Sequence, residues 1–494
     1  MSKGMTLLQS IELLTPAQML QADLSAAEFG VAGLTLMRAA GMATARAICQ
    51  RFRPCRTLVL TGPGHNGGDG YVVARVLESR GWPVAVAALS LPREGSDAAV
   101  VAAEWRGPIV PLDPTEIARS GLIVDALFGA GLRGDLPPGL VELLRGVSVP
   151  VVAIDVPSGV DGESGVVRGY ALQATLTVTF FRLKPGHLLL PGRDLCGELV
   201  LAPIGLPTSV LTGLDVQCFA NKPPLWTLPA RTSQSHKYSL GHVTIPAGKA
   251  MPGAATLAAG AARRAGAGLV TLAAPDNDTA TIFRGGEPGL LVREDSLEQL
   301  LQDKRRNAWL LGPGLPPDQE TLLMLRQIVQ AGREAVVDGG ALTAATGNPS
   351  ALKGAAVLTP HAGEFARVFG AAGENRMAAA RSAAADTGAV VILKGSDSII
   401  AAPDGRGAIN ADAPPALATA GSGDVLAGLV AGLLAQSMPR FEAACAAVWL
   451  HAEAARLALS GTTLERPLIA EALLTEISAA FATAHSIRAW LQAR

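Results

Sequence analysis

The stretch Leu417-Ala-Thr-Ala-Gly-Ser-Gly-Asp-Val-Leu-Ala-Gly428 joins a glycine-rich turn to the start of an apolar pattern with helical spacing. Such a turn leaves backbone N–H groups free at a helix N-terminus, where the helix dipole adds positive potential. The turn can therefore hold a phosphoryl group or a developing oxyanion. Asp424 at this point suits a base that deprotonates a hydroxyl while the turn holds the phosphoryl group. A second interpretation stays open, in which Asp424 only caps the helix.

The composition favours an α/β protein of two or three domains. The chain has 494 residues, 49% of them hydrophobic and 4% aromatic, and its 55 glycines permit close packing of helices on sheets. A formal net charge of −1 argues against nucleic acid or a membrane surface as a partner. The five cysteines form no CxxC pair, and the sequence shows neither a signal pattern nor a long apolar run. These features predict a cytoplasmic protein without membrane contact.

The first half opens with helical periodicity over residues 12–52, which indicates a pair of helices used for core packing or for an oligomer contact. A short apolar strand at Thr57–Gly62 runs into Gly62-Pro-Gly-His-Asn-Gly-Gly-Asp-Gly70, and a helix is predicted from Tyr71. Strand, glycine turn and helix in this order are typical of the phosphate site of a doubly wound sheet. The density of glycine indicates that a ligand or another stretch of backbone approaches closely.

Two later apolar strands end in polar residues, with Asp125 on one and Asp155 and Ser158 on the next. Because the carboxyl ends of parallel strands meet at one edge of a sheet, these side chains should converge with Asn66 in one crevice. Carboxylate, amide and hydroxyl oxygens favour potassium or magnesium over zinc. Two alternatives stay open here. The aspartates could merely cap turns, and Lys184, after the next strand, is either solvated or faces an anionic ligand group.

Several apolar strands in the second half end in glycine, proline or charged residues. The strand at Trp309 leads into a Gly-Pro-Gly turn, and the next ends at Asp338. A strand from Val357 places His361 at a predicted helix start, and a strand from Val390 ends at Lys394, where a nucleotide phosphate can sit. Between the halves, turn-forming residues over 203–235 predict a linker, which divides the chain into domains 1–221 and 222–494.

Four motifs in the first half, Gly62–Gly70, Val124–Gly129, Ile154–Gly159 and Phe181–Gly186, resemble those of the NAD(P)H-hydrate epimerase domain. The resemblance implies a Rossmann-like, three-layer α/β/α domain with K⁺ held by Asn66, Asp125 and Ser158. It implies substrate contacts from two loops and one aspartate: His65, Asn66, Gly67, Gly68, Asp69, Gly129, Ala130, Gly131, Leu132, Arg133, Gly134, Asp135 and Asp155. Asp155 is our candidate for the catalytic group that gives and takes the proton as water leaves C6 and returns.

The motif order in the second half, from Asp338 through Thr359-Pro-His-Ala-Gly-Glu364 and Lys394 to Ala420-Gly-Ser-Gly-Asp424, resembles the ribokinase-like α/β/α fold. Within that fold, the run around His361 is similar to the ADP/ATP-dependent NAD(P)H-hydrate dehydratases. This resemblance implies hydrate contacts from Ala254, Gly314, His361 and Asp424, with Asp424 catalytic. It implies adenine-nucleotide contacts from Lys394, Gly395, Ser396, Asp397, Ser398 and Gly423. It also implies that Mg²⁺ bridges the phosphates of ADP or ATP.

Together these resemblances predict a bifunctional nicotinamide-nucleotide repair enzyme, with an isomerase and a lyase in one chain. The first domain would interconvert the R and S forms of hydrated NADH and NADPH. In the second, Asp424 would deprotonate the C6 hydroxyl for attack on the terminal phosphoryl group of ADP, and loss of phosphate would restore the dihydronicotinamide. Small-molecule substrates would be the partners of a homo-oligomer. Two rivals stay open: a small-alcohol kinase, which leaves a stable phosphoester, and a non-catalytic sensor in the first domain.

Overall fold

The computed structural model describes residues 10–461 and 466–492 of the chain. The protein divides into two compact units, Met1–Cys218 and Phe219–Arg494. Each unit is built on its own largely parallel sheet with helices between the strands, which confirms the predicted α/β class. The sequence-based boundary between 221 and 222 lies close to this division. None of the helices in the described ranges has the length and apolar character needed to cross a membrane.

The first unit contains a six-stranded sheet in the order β2-β1-β3-β4-β5-β6, in which all neighbouring strands are parallel. Its strands are β1 (Thr57–Thr61), β2 (Val84–Ala88), β3 (Leu122–Ala126), β4 (Val151–Ile154), β5 (Leu176–Phe180) and β6 (Glu198–Ala202). The strand order reverses direction at β1 and β3. A crevice forms at such a switch point, beyond the carboxyl ends of the strands, and ligands bind there in open α/β sheets.

Helices cover both faces of this sheet, because successive strand residues point to opposite sides. On one face of the sheet, Val59 packs in a core with the second, third and fourth helices of the unit. On the other face, its neighbours Leu58 and Leu60 pack in a separate core with the fifth and sixth helices. The helices are α1 (Pro16–Ser25), α2 (Gly33–Arg51), α3 (His65–Glu78), α4 (Asp97–Ala103), α5 (Pro114–Ala118), α6 (Pro138–Arg145) and α7 (Gly192–Leu195). The two cores make the unit a three-layer α/β/α domain, as predicted.

The glycine-rich run after β1 is helical, which corrects the prediction that a helix begins only at Tyr71. Helix α3 begins at His65, so the glycines lie in its first turns. A Cβ on Gly67 would lie 1.8 Å from the carbonyl oxygen of Gly62, and a Cβ on Gly70 would lie 2.6 Å from the Cβ of Ala126. These glycines therefore let the helix pack directly on the strand ends. The glycines thus allow another stretch of backbone to approach closely, which is the second of the two interpretations given above.

The second unit carries a ten-stranded sheet in the order β10-β9-β8-β11-β12-β13-β14-β15-β16-β7. Neighbouring strands are parallel from β10 to β14, whereas β15 pairs antiparallel with both β14 and β16. The strands are β7 (Cys218–Ala220), β8 (His242–Pro246), β9 (Leu269–Ala273), β10 (Leu291–Arg293), β11 (Ala308–Leu311), β12 (Glu334–Val337), β13 (Val357–Leu358), β14 (Val390–Leu393), β15 (Ser398–Ala401) and β16 (Gly407–Asn410).

Small residues bring the helices of this unit into close contact. A Cβ on Gly428 would lie 2.1 Å from the carbonyl oxygen of Ala258, so the helix that follows the glycine turn packs tightly on an earlier one. Leu310 of β11 belongs to the core beneath these helices. The helices are α8 (Pro252–Arg264), α9 (Asn277–Arg284), α10 (Leu297–Gln302), α11 (Gln319–Gln330), α12 (Gly339–Ala344), α13 (Ala362–Phe369), α14 (Arg376–Thr387), α15 (Ser422–Ala435), α16 (Arg440–Ala458) and α17 (Ala470–Gln492).

Candidate active sites

Asp155 directly follows β4 and has an unusual backbone conformation, with φ at 68°. Aspartate tolerates this left-handed region better than most residues do, and such outliers often mark functional positions. Its Oδ1 lies 2.5 Å from Lys184 Nζ and accepts a hydrogen bond from Thr179 Oγ1 at 3.1 Å. Its Oδ2 accepts one from the backbone N–H of Ala130 at 2.9 Å. The carboxylate is thus held from three sides at the carboxyl ends of the strands.

Lys184 is a structural counter-ion of Asp155, because its side chain is only 2% exposed. The ammonium group also donates to Thr179 Oγ1 at 2.9 Å. The interpretation of Lys184 as a solvated residue is therefore wrong. Burial raises the pKa of Asp155, but the neighbouring charges and hydrogen bonds, led by Lys184, outweigh it and bring the pKa to about 2. Asp155 is accordingly ionised at neutral pH.

A neutral histidine fixes the backbone at this site. The Nδ1 atom of His187 accepts a hydrogen bond from the backbone N–H of Lys184 at 2.9 Å, so the ring proton lies on Nε2. Nε2 then donates to the backbone carbonyl of Asp155 at 2.8 Å. Burial, with the Lys184 charge, lowers the pKa of His187 to about 4. This histidine was not singled out from the sequence.

Asp125 and Ser158 form a second buried group of oxygens. The Asp125 carboxylate accepts hydrogen bonds from Ser158 Oγ at 2.6 Å, from the Ser158 backbone N–H at 2.8 Å and from the Leu127 N–H at 3.3 Å. The Ser158 hydroxyl also lies 3.1 Å from the carbonyl oxygen of Phe128. Burial raises the pKa of Asp125, and each donor to it is neutral. Asp125 therefore stabilises a turn, as the alternative interpretation of this residue proposed. Its carboxylate also belongs to a group of oxygens that includes the Ser158 hydroxyl and the Phe128 carbonyl.

Asn66 points toward Asp155 from the first turn of α3. A Cβ on Gly129 would lie 2.9 Å from Asp155 Oδ2 and 3.4 Å from Asn66 Oδ1, which brings the three residues together. Asn66 is 9% exposed, and its Nδ2 atom has no hydrogen-bond partner among the described residues. A buried amide of this kind requires an explanation, and a bound ligand is the simplest one.

The other predicted substrate residues of the first unit fall into two groups. Gly67 and Gly68 are buried in the packing of α3, where a Cβ on Gly68 would lie 2.6 Å from Met37 Sδ. His65 is exposed at the start of that helix. The remaining loop residues form an exposed or half-buried rim after Ala130: Gly131, Leu132, Arg133, Gly134 and Asp135.

Two further carboxyl groups lie within electrostatic range of Asp155. Asp69 is buried, and burial together with the charges of Asp155 and Asp23 raises its pKa well above the ordinary value. Burial raises the pKa of Asp23, on α1, to about 6. Sequence reasoning assigned the helix of Asp23 to packing or oligomer contacts. The available signal was that Asp23 is the single charged residue in Pro16–Ser25.

In the second unit, Lys394 lies between carboxylates at the end of β14. Its Nζ is 2.8 Å from Asp338 Oδ1 and 3.8 Å from Glu364 Oε2. Thr359 Oγ1 donates to Asp338 Oδ1 at 2.8 Å, which fixes that carboxylate. Burial lowers the pKa of Lys394, but these carboxylates and Asp424 outweigh that effect and raise it. Lys394 is therefore charged and held at the ends of neighbouring parallel strands.

Asp424 lies in the first turn of α15, and the interpretation of Asp424 as the cap of this helix is wrong. The N-cap is Gly421, with φ at 85° and no side chain to bond the free N–H groups. A Cβ on Gly423 would lie 3.4 Å from Lys394 Nζ, so the helix start faces the charged cluster. Burial, reinforced by the charge of Asp338, raises the pKa of Asp424 to about 6. A carboxylate with this pKa takes up a proton readily near neutral pH.

His361 caps helix α13 and borders the same cluster. Its Nδ1 accepts hydrogen bonds from the backbone N–H groups of Gly363 and Glu364, at 3.0 and 3.3 Å. The residue pairs with Lys394 through a backbone bridge, and its side chain is 55% exposed. The imidazole is therefore fixed by its cap while one edge of the ring stays open to a ligand.

Gly314 lies on a loop that meets the start of α8, the helix that contains Ala254. Gly314 has φ at 74°, and a Cβ on it would lie 2.5 Å from the carbonyl oxygen of Met251. Ala254 follows Met251 at the start of α8. One turn further along, Leu257 reaches the glycine turn, because a Cβ on Gly421 would lie 2.7 Å from Leu257 Cδ1.

The predicted nucleotide loop after Lys394 presents two kinds of residue. Gly395 and Ser396 are exposed. Asp397 is 2% exposed and accepts a hydrogen bond from Arg376 Nη1 at 2.9 Å, and the Ser398 hydroxyl donates to the carbonyl oxygen of Gly395 at 2.8 Å. The last two side chains thus stabilise the loop, and its exposed backbone at Gly395 is left for a ligand.

Comparisons with known proteins match both units. A family model described as "YjeF-related protein N-terminus" matches residues 33–186, and one described as "NAD(P)H-hydrate dehydratase" matches 243–477. A solved structure of ADP/ATP-dependent NAD(P)H-hydrate dehydratase from Bacillus subtilis, co-crystallized with ATP/Mg²⁺, is 27% identical, with a TM-score of 0.46, and covers 52% of this chain and 95% of that chain.

Full-length relatives extend the likeness across both units. The bifunctional NAD(P)H-hydrate repair enzyme of Moorella thermoacetica is 35% identical over 487 residues, which cover 90% of this chain and 91% of the relative. That of Pyrobaculum aerophilum is 36% identical over 477 residues, covering 89% and 93%. The chain belongs to the family of bifunctional NAD(P)H-hydrate repair enzymes.

Proposed function

We propose that residues 1–221 interconvert the R and S forms of hydrated NADH and NADPH, and that residues 222–494 dehydrate the S form with ADP, giving AMP and phosphate. The observation that carries the proposal is the position of Asp424. A carboxyl group whose pKa is about 6 stands at an uncapped helix N-terminus, beside a half-buried lysine. This combination can deprotonate a hydroxyl and hold a phosphoryl group at the same place.

The dehydration step uses the residues around Asp424. Asp424 takes the proton of the C6 hydroxyl as that oxygen attacks the terminal phosphoryl group of ADP. The free N–H groups at the start of α15 and the ammonium of Lys394 stabilise the charge on the transferring group. Phosphate then leaves C6 as the ring nitrogen supplies the electron pair, and loss of a proton from C5 of the resulting ring cation forms the C5=C6 double bond of the dihydronicotinamide. Ala254, Gly314 and His361 border the position where the hydrate would lie.

The adenine nucleotide fits against the loop after β14 and the start of α15. We assign its contacts to Lys394, Gly423 and the exposed Gly395 and Ser396, with Asp397 and Ser398 acting through the loop they stabilise. Asp338 and Glu364 would hold magnesium here, because carboxylate oxygens are the ligands that a hard cation prefers. When bound, Mg²⁺ would neutralise charge on the phosphates of ADP or ATP.

The epimerisation step uses the first crevice. Protonation of the C6 hydroxyl lets it leave as water, and the Asp155 carboxylate, ionised by Lys184, stabilises the ring cation that remains. Asn66, with its unpartnered amide nitrogen, and the loop from Gly129 to Asp135 border the same space. Water can then add to either face of the planar cation, which interconverts the R and S forms.

Potassium fits the oxygens beside this crevice. Asp125, Ser158 and the Phe128 carbonyl form a buried group of oxygens, and the raised pKa of Asp125 means that a cation would lower the cost of its charge. We assign K⁺ to Asp125 and Ser158, with Asn66 at the edge. When bound, the ion would hold the substrate-binding loops in place.

Exchange of the R and S forms should therefore depend on potassium. Replacing K⁺ with tetramethylammonium, which is too large for a site among these oxygens, should slow exchange about tenfold or more, while dehydration of the pure S form changes little. Chromatographic separation of the two forms measures the exchange, and Asp125→Asn should remove the dependence. Equal exchange rates in both salts would contradict the assignment.

Product identity tests the proposal against a small-alcohol kinase. With ADP, magnesium and the S form, dihydronicotinamide and inorganic phosphate should appear in equal amounts, together with AMP. A stable phosphoester without phosphate release would instead identify a kinase, because local chemistry at Asp424 is the same for both reactions. Substituting ATP for ADP in the same assay shows which nucleotide is preferred.

We further propose that the protein acts as a homo-oligomer in the cytoplasm, without nucleic-acid or membrane partners. The free thiols of Cys49, Cys55, Cys196 and Cys445 support a reducing compartment. Four apolar side chains on the first two helices and the turn between them are exposed and could meet a second copy: Leu20, Leu24, Phe29 and Met42. Light scattering after gel filtration measures the mass, and a monomer would contradict the oligomer.

A further inference from the structure

Helix α1 begins beside the crevice of the first unit. The segment before it is tied to the strand-end region, because the Leu14 backbone N–H donates to the carbonyl oxygen of Leu183 at 3.0 Å. A Cβ on Gly162 would lie 2.6 Å from the Cβ of Ala130 and 3.1 Å from Pro16 Cγ. The first residue of α1 therefore lies near the loop that binds Asp155. This helix was predicted to serve core packing or an oligomer contact, and it also borders the site.

Asp23 is the single charged residue of α1, and it is half-buried. The charged groups that act on its carboxyl are Lys184, Asp155 and His65, in that order of strength. The charges of Asp155 and Asp23 act in turn on the buried carboxyl group of Asp69. Asp23 lies two turns after Pro16, so it is on the face of α1 that approaches the Ala130 loop. Asp155, Asp23 and Asp69 thus come from three different elements at one crevice. The unpartnered amide of Asn66 opens into the same space, which indicates that a ligand completes it.

Epimerisation requires a proton that Asp155 is poorly placed to give. The hydroxyl leaves C6 as water only if an acid protonates it, and a hydroxide ion is a poor leaving group. Asp155 is held in its ionised form by Lys184 at 2.5 Å, which suits it to face a cation and not to act as an acid. A second acid–base group is therefore needed in this crevice.

We propose that Asp23 is this second acid–base group and protonates the departing C6 hydroxyl, while the Asp155 carboxylate faces the ring cation. The proposal rests on the epimerase function assigned above. The C6–O bond breaks as the Asp23 proton passes to oxygen, and the electron pair of the ring nitrogen forms the C=N bond. Water then adds to C6 from either side and returns a proton to the Asp23 carboxylate, directly or through one water. The enzyme ends in its starting state, and no other reactant is consumed.

The electrostatics of the crevice agree with separate roles for the carboxyl groups. Burial raises the pKa of Asp23 to about 6, and the charge of Asp155 raises it whereas those of Lys184 and His65 lower it. Asp155 has a pKa of about 2, and the pKa of Asp69 lies well above its ordinary range. Pairs of carboxyl groups whose pKa values differ in this way are typical of acid–base sites. Asp23 is the one whose pKa is closest to neutral pH.

Asparagine at position 23 tests the proposal in the full-length protein. Dehydration does not proceed without ADP, so separating the R and S forms at successive times in its absence measures exchange alone. We expect Asp23→Asn to lower kcat about 100-fold with a small change in KM. Because the protonated form of Asp23 is the active one, wild-type exchange, corrected for the uncatalysed reaction, should fall as pH rises through about 6. The variant should lack that fall, and Asp23→Glu should restore part of the rate.

Controls separate this proposal from the function on which it rests. Glu28→Gln removes an exposed carboxylate five residues away and should exchange like wild type. Denaturant unfolding of the first unit reports on folding of each variant, because the dehydration site lies in the other unit. If Asp23→Asn keeps the wild-type rate, or loses rate but keeps the pH dependence, Asp23 is not the acid–base group. If wild type itself exchanges no faster than buffer, the epimerase function fails and not only the role of Asp23.

Discussion

Replacing Asp424 with asparagine is expected to reduce ADP-dependent dehydration of the S form by about 10²- to 10⁴-fold, the range typical of a lost general base. The substitution keeps the size and the first turn of α15, since Gly421 and not Asp424 is the N-cap. Binding of ADP should change little, because the free N–H groups and Lys394 remain. The loss should therefore appear in kcat and not in KM.

The pH dependence of wild-type dehydration provides a second test of the same group. Asp424 acts as a base only when ionised, and its pKa is raised to about 6, first by burial and then by the charge of Asp338. We expect kcat to rise with pH up to about 6 and to level off above it. The residual activity of Asp424→Asn should lack this rise. A rise that persists in the variant would assign the base to another residue.

Replacing Asp155 with asparagine is expected to slow exchange of the R and S forms about 10²-fold or more, because the ring cation loses the carboxylate that faces it. Asparagine is the appropriate substitution since it tolerates the left-handed conformation at φ 68° better than alanine does. The rate is measured without ADP by separating the two forms. Dehydration of pure S form in the second unit should remain at the wild-type level.

The same substitution should weaken the first unit. Lys184 is 2% exposed, and without Asp155 its charge lacks the closest counter-ion, a change that typically costs about 3–5 kcal/mol. Denaturant unfolding of the full chain should show an earlier transition for the first unit. Asp194→Asn is a matched control, since that aspartate side chain is 66% exposed, and it should leave both stability and exchange unchanged.

The sequence predicted the layers of the fold because strand and helix periodicity are local properties. Successive strand residues point to opposite faces of a sheet, so Leu58 and Leu60 lie in one core and Val59 lies in the other. The start of α3 was misplaced because glycines are read locally as a turn. Here Gly67 is needed so that a helix can approach the carbonyl oxygen of Gly62, a contact between segments that local patterns do not encode.

The site was predictable where its residues follow strands and not where they come from elsewhere. Asp125, Asp155 and Asp424 each stand at a strand end or helix start, which marks a ligand edge in α/β sheets. Lys184 stayed ambiguous because its burial depends on the tertiary fold. Asp23 was missed altogether, since nothing in a helical pattern tells which neighbour its polar side faces.

The most direct test of two independent sites in one chain uses a mixture of the R and S forms with ADP and magnesium, followed by dihydronicotinamide absorbance. Wild type should convert the whole mixture, Asp424→Asn almost none, and Asp155→Asn only the S fraction with a slow tail. An equal mixture of the two variant proteins should again convert everything, because each supplies the site that the other lacks. A mixture of variants that stops at the S fraction, or a wild type that forms no dihydronicotinamide, would contradict the account.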